Sequence, residues 1–178
     1  MAGRVPTYYW DACVWITLIS EPGTVRHACC VHVLEMAQRG VCEIWTSSFT
    51  LAEVYKRKCD GIQVGIEEQY DQKFEDLIES EFIKKVSVDM DVGKVARRLL
   101  RRFPKIGKPQ DAIHVATCLI ENVDELHTFD RSDLLALDGQ LDRLDRVKLR
   151  ICQPPYPLPP SPQMEMPLVP PSQKPEPA

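Results

Sequence analysis

The chain has 178 residues, of which 44% are apolar, and its formal net charge is -4. This length and apolar content are sufficient for one domain with its own core. The acidic balance excludes a protein that binds nucleic acid through bulk positive charge. Seven cysteines without a repeating spacing favour a reducing compartment over a disulfide-linked secreted fold. Because no segment resembles a signal peptide or a membrane span, we expect a cytoplasmic protein with no membrane partner.

The first half of the chain alternates between strand-like and helix-like segments. A β-prone run over residues 5–10 is followed by a helix over 12–19. Thr24 caps a second helix that ends near Arg39, where Gly40 stops it. A strand over 41–45 precedes a helix over 51–58, and an acidic amphipathic helix follows over 67–79.

The second half continues the alternation. After a strand over 82–88, apolar residues recur at helical spacing from Val92 to Phe103. A helix over 111–121 is apolar almost all round and is therefore predicted to be buried. Short strands follow over 126–128 and 148–152. Alternating strands and helices predict a three-layer α/β/α fold with a mainly parallel central sheet.

The composition changes after Cys152. Eleven of the 15 prolines lie between Pro154 and Pro177. Proline donates no backbone hydrogen bond, so this segment is predicted to be extended or disordered. The sequence therefore predicts one folded domain over residues 1–152 and a proline-rich tail over 153–178.

Four acidic residues occupy corresponding places in these elements. Asp11 ends the first strand, and Asp130 follows the strand over 126–128. Asp111 opens the buried helix, and Glu53 is predicted in the first turn of the helix over 51–58. Ligands of open parallel sheets bind beyond the carboxyl ends of the strands, so these four side chains can converge there.

Each of these acids also has a purely structural explanation. Asp11 and Asp130 suit helix N-caps, worth about 1 kcal/mol each. Glu53 suits the third helical position of a capping box whose N-cap is Thr50. Asp111 suits the positive end of a helix dipole. A shared pocket would favour a metal site instead. Two carboxylates about 4 Å apart repel by about 4 kcal/mol at an effective dielectric near 20, so a cluster needs a cation or raised pKa values. Oxygen ligands alone select Mg²⁺ or Mn²⁺ over zinc.

Three segments carry a family resemblance, and they are YYWDACVWITLI, TSSFTLAEVYKRK and KPQDAIHVATCLIENVDELHTFDRSDLL. In this order they resemble the PIN-domain nucleases, in particular the toxin half of VapBC-type toxin–antitoxin pairs, over essentially all of residues 5–150. The resemblance implies a PIN-like fold and a site of metal-binding acids, an auxiliary acid and a flanking polar residue. The corresponding positions are Asp11, Glu53, Asp111 and Asp130 for the metal, Asp133 for the auxiliary acid and Thr128 for the polar residue.

The resemblance also implies an activity and partners. The expected enzyme is an endoribonuclease that uses Mg²⁺ or Mn²⁺ to activate water for in-line attack on an RNA phosphodiester bond. A cognate antitoxin protein and a homodimer are further expectations. The proline-rich tail and the acidic charge balance depart from the family pattern. An alternative is a PIN-like scaffold that binds RNA or protein without cutting it.

Basic residues lie near the acids in the sequence. Residues 94–108 contain seven Lys and Arg and no acid, and Lys56 is predicted at the end of the helix that carries Glu53. We expect phosphate contacts from Lys56, Arg98, Arg102 and Lys108. For Arg98 and Arg102, a solvated helix face is an equal alternative. The position of His114, three residues after Asp111, is compatible with a residue that supports the site acids, but the commoner case is a histidine buried in a helix.

Overall fold

A computed structural model of the chain describes residues 4–59 and 61–157. Of the predicted tail, residues 153–157 form neither helix nor strand, and the part of that prediction from residue 158 onward lies outside the described residues. Within the described ranges, no helix combines the length and apolarity needed to cross a bilayer.

Thirteen main elements follow one another along the described chain. In order they are β1 (Thr7–Trp10), α1 (Ala12–Ser20), α2 (Val25–Gln38), β2 (Glu43–Ser47), α3 (Ser48–Glu53), β3 (Lys56–Cys59), β4 (Ile62–Gly65), α4 (Glu68–Ile78), β5 (Ile83–Val86), α5 (Met90–Arg102), α6 (Pro109–Ile120), β6 (Glu125–His127) and β7 (Arg150–Cys152). A short 3-10 helix over Leu135–Leu137 precedes β7.

The central sheet has five strands in the order β5-β2-β1-β6-β7, and all its pairings are parallel. From β1 the chain first builds β2 and β5 on one side and then returns to place β6 and β7 on the other side. The strand order therefore reverses beside β1, which opens a crevice beyond the carboxyl ends of β1 and β6. The prediction of a mainly parallel sheet is confirmed.

Helices cover both faces of this sheet, so the prediction of three layers is also confirmed. Successive residues of a strand point to opposite faces, and in β1 Tyr9 and Trp10 are both fully buried in different apolar clusters. Tyr9 packs with residues of α5 and α6, whereas Trp10 packs with residues of α1, α2 and α4. The predicted apolar face of α5 is buried at Val92, Ala96 and Leu99.

The main difference from the sequence prediction concerns residues 51–65. The predicted helix over 51–58 is wrong, because α3 begins at Ser48 and ends at Glu53, and Lys56 starts β3. β3 pairs with β4 in an antiparallel hairpin outside the central sheet. Gly61 has a φ of +84°, which glycine adopts without steric cost. The Asp-Gly pair at residues 60–61 is a hairpin signal in the sequence, and it outweighs the helical pattern.

Candidate functional site

Three carboxylates meet in the crevice beside β1 and β6. Asp111 lies in the first turn of α6, and Asp130 and Asp133 lie in the loop after β6. One oxygen of each lies within 4.8 Å of the others. The Lys108 ammonium, at the N-cap of α6, lies 3.4 Å from Oδ2 of Asp133 and 3.9 Å from Oδ2 of Asp130. We call these three acids the acidic cluster.

Asp11 is connected to the acidic cluster through two side chains. As the N-cap of α1, its Oδ1 accepts hydrogen bonds from the backbone N–H of Val14 at 3.1 Å and the thiol of Cys13 at 2.8 Å. The thiol also lies 3.5 Å from the Thr128 hydroxyl, which accepts the backbone N–H of Asp130 at 3.0 Å. Burial raises the pKa of Asp11. Asp11 is thus both a helix cap and a neighbour of the site.

Glu53 reaches the site from the last residue of α3 rather than from the first turn that the sequence predicted. The N-cap of α3 is Ser47, so the predicted capping box beginning at Thr50 is wrong. Nε2 of His114 donates a hydrogen bond to Oε2 of Glu53 at 2.7 Å. Nδ1 of His114 lies 2.9 Å from the Tyr9 hydroxyl. Both ring nitrogens are therefore engaged, which fixes the orientation of Glu53.

His114 supports a site acid, which was the less favoured of its two interpretations in the sequence. It is buried, as predicted, but it contacts a site acid. Its spacing of three residues from Asp111 places both side chains on the same face of α6, and this spacing was the signal available in the sequence. The contact with Glu53 could not be predicted because the end of α3 was misplaced.

One buried carboxylate oxygen of the cluster has no partner among the described residues. Asp111 is 8% exposed, and among the described residues nothing bonds to its buried Oδ2. Burial raises the pKa of Asp111 to about 6; Lys108 opposes this shift, while Asp130 and Asp133 reinforce it. Burial also acts to raise the pKa of Asp130, but hydrogen bonds from Ser132 and the Asp133 backbone, with Lys108, outweigh it and lower that pKa.

These features suit a bound cation. An unpaired buried carboxylate oxygen is costly, and a cation beside Asp111 would remove that cost. Because the converging donors are all carboxylate oxygens, the site suits a hard divalent ion such as Mg²⁺ or Mn²⁺. The residues present therefore fit the ion that the family resemblance implies.

A second group of potential ligands, Glu125, His127 and Cys152, fits a metal less well, although its ligand atoms also lie within 4.8 Å of one another. The indole N–H of Trp10 donates to Nδ1 of His127 at 3.1 Å. Burial lowers the pKa of His127, so the ring is neutral and its proton is on Nε2, which donates to Glu125 at 3.1 Å. Neither nitrogen keeps a free lone pair for a metal.

Two cavities flank the acidic cluster. The α3-side cavity, of about 490 Å³, is lined among others by Phe49, Glu53, Tyr55, Lys56, Lys108 and Asp111. The α1-side cavity, of about 420 Å³, is lined among others by Cys13, Glu21, Arg26, Lys56, Arg57, Phe129 and Asp130. The acids are therefore accessible from both sides.

The predicted substrate-contacting residues are distributed unequally around this site. Lys108 contacts the cluster, and Lys56 lines both cavities from β3 rather than from a helix end. Arg98 and Arg102 line neither of these two cavities but border another between α5 and α6. Thr128 is fully buried, so its hydroxyl serves Asp130 and Cys13 rather than an exposed surface.

Residues 8–139 match the family model described as the PIN domain. VapC20 from Mycobacterium tuberculosis, described as a sarcin-ricin loop cleaving toxin, is 17% identical with a TM-score of 0.53, over 69% of this chain and 89% of that one. VapBC2 from Rickettsia felis, bound to a DNA fragment from its promoter, is 15% identical with a TM-score of 0.54, over 82% of this chain and 98% of that one. No curated protein matches the chain.

Proposed function

The chain belongs to the PIN-domain family, and on that premise we propose that it is a metal-dependent endoribonuclease and the toxin component of a toxin–antitoxin pair. The observation that carries this proposal is the buried, unpartnered Oδ2 of Asp111 within a group of three carboxylates. We assign Asp11, Glu53, Asp111 and Asp130 to catalysis and metal binding, and Asp133 to metal binding.

The electrostatics of the cluster explain why a divalent ion would bind there. With a pKa of about 6, Asp111 is mostly ionised at neutral pH although it is buried. Asp130, with its lowered pKa, is ionised as well. When bound, Mg²⁺ or Mn²⁺ supplies positive charge that stabilises the developing charge on phosphoryl oxygens and acidifies a water molecule.

The surrounding residues hold the reacting groups in place. The hydrogen bond from His114 holds the carboxylate of Glu53 at the end of α3. Hydrogen bonds from Ser132 and from the Asp133 backbone hold Oδ1 of Asp130. Lys108 is 58% exposed while it contacts Asp133. Its ammonium is therefore available to a substrate phosphate that approaches the acids.

We assign an RNA phosphodiester as substrate, a protein antitoxin as partner and a homodimer as the assembly. Support for the antitoxin comes from the shared fold with VapC20, described as a toxin, and with VapBC2. We assign the cytoplasm as compartment, since the six cysteines identified within the described ranges are all free thiols and a reducing environment preserves them.

A cleavage assay tests this function. The purified full chain is incubated with structured and single-stranded RNA in Mg²⁺, in Mn²⁺ and in chelator. We expect cleavage only with metal, and a loss of about 100-fold or more in Asp111→Asn, comparable to removal of a transition-state stabilising group. Glu75→Gln, an exposed acid on α4, is the matched control and should retain activity.

Two results contradict the proposal. Cleavage that persists at the wild-type rate in Asp11→Asn and Asp111→Asn would point to another site or to a contaminant. Failure of the wild-type protein to cleave any RNA with either metal would favour a scaffold that binds without cutting.

A further inference from the structure

The hairpin strand β3 lies between the two cavities that flank the acidic cluster. Lys56 lines both cavities, and Arg57 also lines the α1-side cavity. Asp111 lines the α3-side cavity and Asp130 the α1-side cavity, and their carboxylate oxygens lie within 4.8 Å of each other. The two cavities therefore meet at the acids, and β3 borders both of them.

Each cavity contains a planar side chain on which a base could stack, and in both cases a positive charge lies against an aromatic ring. In the α3-side cavity, Tyr55 is 58% exposed and the Lys56 ammonium lies 4.8 Å from its ring centroid. In the α1-side cavity, the exposed Arg26 guanidinium lies 5.2 Å from the ring centroid of Phe129. Tyrosine rings and arginine guanidinium planes are the surfaces on which proteins stack unpaired bases.

One hydrogen-bond donor without a partner within the described ranges lies near these surfaces. The Nε of Arg57 is buried and has no partner among the described residues, while its terminal nitrogen contacts Glu67 at 3.2 Å. Both cavities have volumes within the range of about 300–1,000 Å³ that is usual for small-ligand sites.

We propose that β3 positions two consecutive nucleotides of an RNA across the acidic cluster. The base of one nucleotide stacks on Tyr55, and the base of the other stacks on Arg26. Lys56, which lines both cavities, contacts the phosphate between these nucleotides. The proposal rests on the proposed ribonuclease function and adds two positioning residues and a strand to it. Both bases must be unpaired, because a base inside a duplex is stacked on its neighbours and has no free face for either side chain.

Binding to a cleavage-deficient protein tests this arrangement. Asp111→Asn protein is titrated into a fluorescein-labelled single-stranded RNA of about ten nucleotides and into the matching duplex, and anisotropy is measured. Tyr55→Ala should weaken single-strand binding by about 5- to 100-fold, the usual range for loss of one base–aromatic stack. Duplex binding should not change. Tyr55→Phe, which keeps the ring, should restore single-strand affinity.

Two further variants sharpen the test. Arg26→Lys keeps the charge but loses the plane, so it should still bind single strands more weakly than the parent does. Leu144→Ala removes an exposed apolar side chain, 69%, near the C-terminal end of α6 and outside both cavities, and it should have no effect. The proposal is overturned if Tyr55→Ala binds like Leu144→Ala, if Arg26→Lys binds like the parent, or if single strand and duplex weaken equally.

The outcomes separate this proposal from the function on which it rests. If the protein cleaves RNA with metal and Tyr55→Ala does not change the KM, the nuclease function is supported and the stacking sites are refuted. If single-strand binding depends on Tyr55 and Arg26 but the wild-type chain does not cleave RNA, the stacking sites are supported and the nuclease function is refuted. If the protein binds neither RNA, the proposal is refuted. The two cavities would then be a binding site for a protein segment.

Discussion

Replacing Asp111 by asparagine should stabilise the metal-free protein at neutral pH. The side chain is 8% exposed, and its pKa rises from 3.8 to about 6 on folding. Because folding disfavours the charged form, the contribution of this carboxyl to stability is greatest below pH 3.8 and is lost as the pH rises to about 6. At about 1.4 kcal/mol per pKa unit, ionised Asp111 costs roughly 3 kcal/mol above pH 6.

Asp111→Asn removes this charge and nearly preserves the shape of the side chain. Urea unfolding in chelator at pH 7.5 should show a gain that approaches about 3 kcal/mol, and the gain should fall below about 1 kcal/mol at pH 4. Asp130→Asn is the matched control, because the pKa of Asp130 is lowered on folding and its replacement should destabilise the protein at pH 7.5. A destabilised Asp111→Asn protein at pH 7.5, or a gain that does not vary with pH, would refute this reasoning.

Three further predictions concern the same site. In thermal-shift titrations, Mg²⁺ at about 100 times its dissociation constant should stabilise the wild-type chain by about 2.7 kcal/mol, and it should have little effect on Asp111→Asn. His114→Ala leaves Glu53 and Tyr9 without their partner, so calorimetry should show a loss of about 1–3 kcal/mol together with slower cleavage; unchanged cleavage would argue against a positioning role. Ser47→Ala removes the cap of α3, and urea unfolding should show a loss of about 1–2 kcal/mol. An unaltered midpoint would mean that the cap contributes nothing.

The parts of the site that the sequence could predict are those fixed by short-range patterns. Asp11 and Asp130 follow β-prone runs, and Asp111 follows Pro109 at a helix start. A parallel sheet brings the ends of such strands to one edge. The helix cap predicted at Asp130 is wrong, because a turn follows it: Oδ1 accepts the backbone N–H groups of Ser132 and Asp133 in that turn, while Oδ2 faces Lys108.

The parts that could not be predicted depend on contacts between distant segments. The helical pattern after Thr50 continues past Glu53, but the chain turns at Val54 and forms a strand because residues 62–65 supply a partner. This pairing moves Lys56 from a helix end to a position between two cavities. The bond between His114 and Glu53 spans 61 residues, and no local pattern encodes it.

The parallel direction of β7 has a practical consequence for handling the protein. The backbone N–H of Thr128 donates to the carbonyl oxygen of Cys152 at 2.9 Å, so the polypeptide leaves its last strand directly beside the loop that carries Asp130. The polypeptide enters β1 from the opposite edge of the sheet. An affinity tag or fluorescent reporter fused before residue 4 is therefore kept away from the acids, whereas one placed directly after Cys152 would emerge beside the loop that carries Asp130 and crowd it.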